Sequence, residues 1–262
     1  RPQEGGDEFP PLAVVGHDFR LMAANGVNAV RTYTPPPRWL LDLAQASGLP
    51  VLAGLAAERE VGYLNDPREA SAIERRFRER VRHCAGHPAL LGYAIGNEIP
   101  ASVVRWFGAR RIERFLERLA RATRQEDPGA LVTYVNYPTT EYLELPFLDF
   151  VSFNLYLESM ERFEAYLPRL QNLAGDRPLF LAELGLDSAR NGQEAQARMI
   201  EAQVRASFAW GMAGVFVYAW TDEWHRGGED VFDWDFGLVT RDRSPKPALA
   251  AVRRAFGETP FP

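Results

Sequence analysis

Short apolar runs alternate along the chain with longer amphipathic stretches. The apolar runs are Asn28–Tyr33, Pro50–Leu55, Leu90–Ile95, Leu131–Asn136, Phe150–Leu155, Pro178–Glu183 and Gly214–Trp220. Their length and near-continuous apolar character predict strands buried on both faces. Between them, apolar positions recur at helical spacing over Asp18–Asn25, Trp39–Ser47, Pro67–His83, Ala109–Gln125, Glu161–Leu173 and Gln193–Trp210, with a last helix at Pro247–Phe256. The third helix has a clear start signal: Asp66 as N-cap, Pro67 at the first helical position and Glu69 in the first turn. Asp127-Pro128-Gly129 and Ala174-Gly175-Asp176 end two others.

Buried strands alternating with helices mean βα units and a parallel sheet. The expected fold class is α/β, a (β/α)8 TIM barrel. Eight strands are needed, and the Pro- and Gly-rich opening Arg1–Gly16 reads poorly as a buried strand. The first strand is therefore expected to be either missing or irregular. No linker, repeat or low-complexity tract interrupts the pattern, so residues 1–262 are expected to form a single barrel domain. The chain opens at Arg1 rather than Met, as an excised domain or processed product would.

Composition narrows the function classes. A net charge of −5 provides no basic excess to neutralise phosphates, so nucleic acid is not expected as a partner. The arginines at 110, 111, 114, 118, 121 and 124 recur at helical spacing with Glu113 and Glu117 among them, the pattern of a solvated helix face. The lone Cys84 rules out an internal disulfide and any cysteine-based metal site. No membrane-spanning run is present. Both cytoplasm and bacterial envelope or periplasm stay open as compartments.

In barrels of this kind functional groups gather at the C-terminal ends of the strands. Those ends carry Arg31-Thr32-Tyr33, Glu58, Asn97-Glu98, Asn136-Tyr137, Asn154-Leu155-Tyr156, Glu183 and the run from Trp220 to His225. A glutamate ending a buried strand is costly unless water, a partner or substrate meets it. Two such residues, Glu98 and Glu183, are what glycosidic bond cleavage by paired carboxylates requires; carboxyl groups about 5–5.5 Å apart would make it retaining. Each could instead cap the next helix, Asn97 could stabilise a turn, and Arg31 could be a rim ion-pair partner. Trp220 and Trp224 flank acidic residues, a surface suited to sugar C–H faces and hydroxyls, or they close the end of the barrel as core. Asp222, Glu223, Glu229, Asp230, Asp233 and Asp235 lack the spacing of a metal loop. No metal and no cofactor is expected. His17, His83 and His87 are expected to be structural.

Together these strand ends resemble the retaining β-glycosidases of glycoside hydrolase clan A, above all the catalytic barrel of family 2. The resemblance rests on Gly26-Val27-Asn28-Ala29-Val30-Arg31, His87-Pro88-Ala89-Leu90 leading to Gly96-Asn97-Glu98, Ala182-Glu183-Leu184-Gly185 and Asp242-Arg243-Ser244-Pro245-Lys246-Pro247. The chain is also similar to glycosidase-like domains attached to bacterial polysaccharide glycosyltransferases, through Gly96–Pro100 and Trp220–Trp224. The resemblance implies Glu98 as acid/base and Glu183 as nucleophile. It further implies that Asn97 binds the sugar 2-hydroxyl, Tyr156 bonds the nucleophile, Arg31 holds it ionised and Trp220 floors the sugar subsite. Asn136, Glu223 and Trp224 join the expected substrate-binding set. The expected activity is retaining hydrolysis of a β-linked glucan or other bacterial polysaccharide or oligosaccharide. A transglycosidase that remodels an exopolysaccharide and a silent polysaccharide-binding domain are the alternatives. The expected partner is a carbohydrate, with the chain as part of a larger polysaccharide-synthesis protein or complex.

Overall fold

The computed structural model describes residues 9–63, 67–226 and 229–259. The first half of the chain carries α1 (Leu12–Ala24), β1 (Val30–Arg31), α2 (Arg38–Ala46), β2 (Val51–Gly54), α3 (Pro67–Cys84), β3 (Leu90–Asn97), α4 (Ala101–Phe107), α5 (Ala109–Glu126) and β4 (Val132–Asn136). There follow β5 (Val151–Asn154), α6 (Met160–Ala174), β6 (Leu179–Leu184), α7 (Ser188–Asn191), α8 (Gln193–Ala209), β7 (Gly214–Val217), β8 (Trp224–Arg226), β9 (Glu229–Val231) and α9 (Pro247–Glu258). Strands β1 to β7 follow chain order in a parallel sheet, the topology of a (β/α) barrel short of one strand. Among the described residues no strand precedes α1, which starts at Leu12 rather than at the expected Asp18. Asp66, read as the N-cap of α3, lies outside the described residues, and Pro67 opens that helix as expected. The chain divides into two compact units, 29–154 and 155–262 with 1–28.

In the unit 29–154, β1 to β5 pair in parallel in that order. Every residue of β2 is buried, which explains its unbroken apolar run. The helices turn one stripe inward: Leu40, Leu41 and Ala44 from α2, Ile73, Phe77 and Val81 from α3, and Ile112, Phe115, Leu116 and Leu119 from α5. Each large side chain so buried is worth about 1.5–3 kcal/mol. On α5 the arginines 110, 111, 114, 118 and 121 are exposed, as their spacing predicted. Arg124 is half-buried against Phe147 O and Asp149. His87 is structural: its Nδ1 accepts the Ala89 amide at 3.1 Å and its Nε2 lies 3.1 Å from Asp42. Glycine is required at position 54, where a Cβ would sit 2.5 Å from the carbonyl oxygens of Thr32 and Tyr33. That close approach draws the C-terminal ends of β1 and β2 together.

In the other unit β6 pairs with β7 in parallel, and α8 packs against α6, α9 and β7. Glu201 on α8 reaches Arg254 on α9 at 2.7 Å, and Arg205 reaches Glu258 at 2.7 Å. These are surface pairs of small individual worth. The stretch after β7 is a two-stranded antiparallel ribbon, β8 with β9, where the apolar pattern marks no strand. A buried ion pair anchors the ribbon's return. Lys246 Nζ lies 3.0 Å from Asp222 Oδ1 and donates to Ser188 Oγ at 2.8 Å, while Asp222 Oδ1 accepts the Gly237 amide at 2.7 Å. Among the described residues no helix is long and apolar enough to cross a membrane.

Candidate active site

Strand β3 carries the first half of the candidate chemistry, in the unit 29–154. Its last residue, Asn97, is the hub. Arg31, the last residue of β1, donates Nη2–H to Asn97 Oδ1 at 2.7 Å, and its guanidinium lies 4.6 Å over the Tyr33 ring. Asn154, the last residue of β5, is buried and donates Nδ2–H to Asn97 Oδ1 at 3.2 Å and to Glu98 Oε1 at 2.8 Å. Three strands thus contribute their terminal residue to one hydrogen-bonded group.

The backbone leaving β3 is unusually well held. Glu98 adopts φ +45°, in the left-handed region that a non-glycine residue enters at a cost on the order of 1 kcal/mol. The Asn97 amide donates to Glu58 Oε2 at 3.0 Å and the Glu98 amide to Val135 O at 2.9 Å. The Ile99 amide donates to Tyr134 Oη at 2.8 Å and the Ala101 amide to Tyr137 Oη at 3.1 Å. Consecutive amides are caught by side chains and backbone of neighbouring elements, which is how a strained turn persists. Burial pushes the Glu58 carboxyl above the usual carboxylate range, against the lowering effect of its own and the Asn97 backbone amide and of Arg59 and Arg31. Burial likewise pushes the Tyr134 hydroxyl far up, with the charges of Glu58 and Glu98 adding to it and the Ile99 amide opposing it.

Asn136 closes β4, and its side chain serves the adjacent turn. Its Nδ2 donates to Thr140 O at 3.1 Å, while its Oδ1 accepts the Tyr137 amide at 2.9 Å and the Thr140 hydroxyl at 2.6 Å. The expected substrate-binding asparagine is buried and committed to local structure.

The second half of the chemistry lies in the other unit. Glu183 is the penultimate residue of β6, buried to 8% exposure, and Tyr156 donates its hydroxyl to Glu183 Oε2 at 2.7 Å. The backbone N–H of Leu155 donates to Glu183 O at 2.9 Å, so Tyr156 is delivered from a segment paired with β6. Just beyond, Gly185 admits no side chain, since a Cβ there would collide with the Tyr218 carbonyl oxygen.

From Tyr156 an aromatic wall runs outward. Its ring meets Phe236 edge-on at 5.9 Å and Tyr218 at 6.3 Å. Tyr218 meets Trp224 at 6.4 Å, and Trp224 stacks on Trp234 at 5.9 Å with 22° between the planes. Trp234 packs on Phe236 at 5.0 Å. The Tyr218 hydroxyl is pushed up to about 12 by burial and by the Glu183 charge, against a hydrogen bond with Trp234. Trp220 is half-buried, and its Nε1 has no hydrogen-bond partner among the described residues.

Glu223 is tied back to the fold. It lies 2.8 Å from Arg243, which also reaches Asp18 of α1 at 3.3 Å, and it accepts from the Thr221 hydroxyl at 3.3 Å. Burial works to raise its carboxyl, but Arg243 and Thr221 hold it below the usual range. Asp222, adjacent, is the partner of Lys246. Two of the acidic residues in this stretch are thus paired with cations.

Several participants fall outside the expected site. Glu58 and Asn154 bond Asn97, Tyr134 bonds the Ile99 amide, and Tyr218, Trp234 and Phe236 build the wall beside Tyr156. Glu58 and Asn154 had a signal, since both follow apolar runs as Glu98 and Glu183 do. Tyr134 sits inside a strand among apolar neighbours and had none.

Residues 9–260 match the family model described as "Glycosyl hydrolases family 2, TIM barrel domain". No curated protein sequence matches the chain. Among solved structures it is similar to a β-glucuronidase of an uncultured Clostridium sp. at 20% identity and TM-score 0.81, covering 97% of this chain and 48% of that one. It is similar to a family 2 β-galacturonidase from Eisenbergiella tayi bound to galacturonate at 20% identity and TM-score 0.77, covering 96% of this chain and 49% of that one. A GH5_18 protein from Streptomyces cattleya in complex with Manb1-4GlcNAc is similar at 22% identity and TM-score 0.77, covering 96% of this chain and 77% of that one. The chain spans about half the length of the first two of these proteins. By the match over nearly all of its residues, the chain belongs to the glycosyl hydrolases of family 2, through their TIM barrel domain.

Proposed function

We propose that this chain hydrolyses a β-glycosidic bond with retention, Glu183 acting as nucleophile and Glu98 as acid/base. What carries the reading is that each glutamate, at the end of its own strand, accepts a hydrogen bond from a neutral donor: Asn154 Nδ2 on Glu98 and Tyr156 Oη on Glu183. In the first step a Glu183 oxygen attacks the anomeric carbon, the bond to the leaving oxygen breaks, and Glu98 gives that oxygen its proton. In the second, Glu98 takes a proton from water, the water oxygen attacks the anomeric carbon, and the bond to Glu183 breaks. The Tyr156 hydroxyl supports Glu183 as an anion at the start and as a departing carboxylate at the end.

The wall beside Glu183 supports a neutral sugar as substrate. Its aromatic faces suit pyranose C–H groups, and Glu229, Asp230 and Asp233 stand exposed in the ribbon segment that carries Trp224 and Trp234. Three cations that follow that segment are engaged: Arg241 with Val231 O and over the Phe232 ring, Arg243 with Asp18 and Glu223, and Lys246 with Asp222. A uronate would bring a like charge to this surface. A β-linked neutral glycan, of the kind found in bacterial polysaccharides, is the substrate class we assign. Exposure of Trp224 and Trp234, at 37% and 42%, also favours a second reading in which a sugar acceptor replaces water.

The test is a panel of aryl β-glycosides and β-linked oligosaccharides, with products followed by NMR and mass. Release of the β-anomer first, with glucosides or mannosides exceeding glucuronides by tenfold or more, is expected. Products longer than the substrate would indicate transfer. Release of the α-anomer first would refute the mechanism, and faster glucuronide cleavage would refute the substrate class.

A further inference from the structure

Glu58 has no part in the two-glutamate chemistry, yet it is a half-buried carboxylate in the turn after β2 whose Oε2 accepts the Asn97 amide at 3.0 Å. A Cβ at position 96 would meet the same oxygen at 3.5 Å and the Tyr134 ring at 3.4 Å, ordinary van der Waals contact. The residue it holds is the one from which the chain enters the +45° φ of Glu98. Among the described residues of this unit, the titratable and charged groups around it include Arg31 and Arg59, Tyr134, and Glu98, whose charge bears on the same tyrosine hydroxyl. Resting on the reading of Glu98 as acid/base, we infer that Glu58 is its positioning residue: the carboxylate fixes the Asn97 amide, and so the strained turn that aims Glu98, while its negative charge favours the protonated form of Glu98.

The charge is a burden to the fold. Burial raises the Glu58 carboxyl, so its anion is favoured less in the folded than in the unfolded chain, and stability falls as pH rises through the folded value. A side chain retained for packing alone would be expected to avoid that cost.

The experiment compares wild type, Glu58→Gln and Glu58→Ala on an activated aryl β-glycoside and on an unactivated disaccharide, with kcat measured across pH. Glu58→Gln keeps an acceptor and loses the charge. Its alkaline limb is expected to move to lower pH by about one unit, with unfolding no easier than wild type above the carboxylate range. Glu58→Ala also loses the acceptor, and its kcat on the disaccharide is expected to fall roughly tenfold or more, a share of what general acid catalysis supplies. On the aryl glycoside, whose first step needs little protonation, kcat/KM should stay within about threefold. An alkaline limb unmoved in both variants, or equal losses on both substrates, overturns the inference. A readout independent of turnover separates this from the glycosidase reading. By NMR of labelled protein the Asn97 amide proton should shift with pH in wild type and not in Glu58→Gln. If wild type cleaves nothing while that titration is present, the glycosidase reading fails and the positioning of Asn97 by Glu58 stands; if the titration is absent, Glu58 does not hold Asn97.

Discussion

Tyr156→Phe removes one atom, the hydroxyl oxygen that donates to Glu183 Oε2 at 2.7 Å, and leaves the ring against Phe236 and Tyr218. A hydrogen bond to a charged group is worth about 1.5–3 kcal/mol, which converts to roughly 10–150-fold in a rate constant. The loss should be largest in the second step, where Glu183 departs from the anomeric carbon and regains its charge. Steady-state kcat should therefore fall by about that factor on substrates with good leaving groups, for which the second step is slow. Pre-steady-state traces on such substrates should show a burst as glycosyl-enzyme accumulates. Because Tyr156 is 38% exposed, the melting temperature should change little. A variant with wild-type kcat and no burst would refute the assignment of Tyr156 to Glu183.

Other perturbations bear on separate parts of the structure. Lys246→Met leaves Asp222 buried without its cation and should cost about 3–5 kcal/mol in denaturant unfolding, with Lys246→Met/Asp222→Asn recovering part of the loss. Gly54→Ala forces a Cβ against Thr32 and Tyr33 backbone, and should destabilise by about 1–3 kcal/mol and lower kcat by disturbing Arg31, read out by melting and kinetics together. Glu183→Ala should abolish turnover on every substrate and be rescued by azide with inverted product. Glu98→Ala should lose far more on poor leaving groups than on aryl glycosides, and identical behaviour of the two variants would refute the roles.

The strands were legible because burial on both faces leaves a simple mark, an unbroken apolar run such as Val51–Leu55. Their last residues were legible for the opposite reason, since polar groups such as Asn97 or Glu183 are costly there without a task. What escaped was set by contacts between distant segments. The ribbon Trp224–Val231 carries too many charged residues for an apolar pattern to mark it as a strand pair. Asn136 has the look of Asn97 in sequence, each ending a strand, but its neighbour Thr140 offers a hydroxyl and a carbonyl that occupy its amide. Nothing in the sequence around Glu223 marks its ion pair with Arg243, twenty residues on. Helix α1 begins early because Leu12 to Val15 continue an apolar stripe that the prolines at 10 and 11 precede rather than interrupt.

The central claim, a covalent double displacement through Glu183, is tested most directly by trapping the intermediate. Wild type is incubated with an activated 2-deoxy-2-fluoro β-glycoside of a neutral sugar, then digested and mapped by mass spectrometry. One fluoroglycosyl group per chain, carried by the peptide containing Glu183 and absent from Glu183→Ala, is the predicted result. A label on the Glu98 peptide, or turnover of the parent glycoside with no covalent species and the α-anomer released first, would contradict the account.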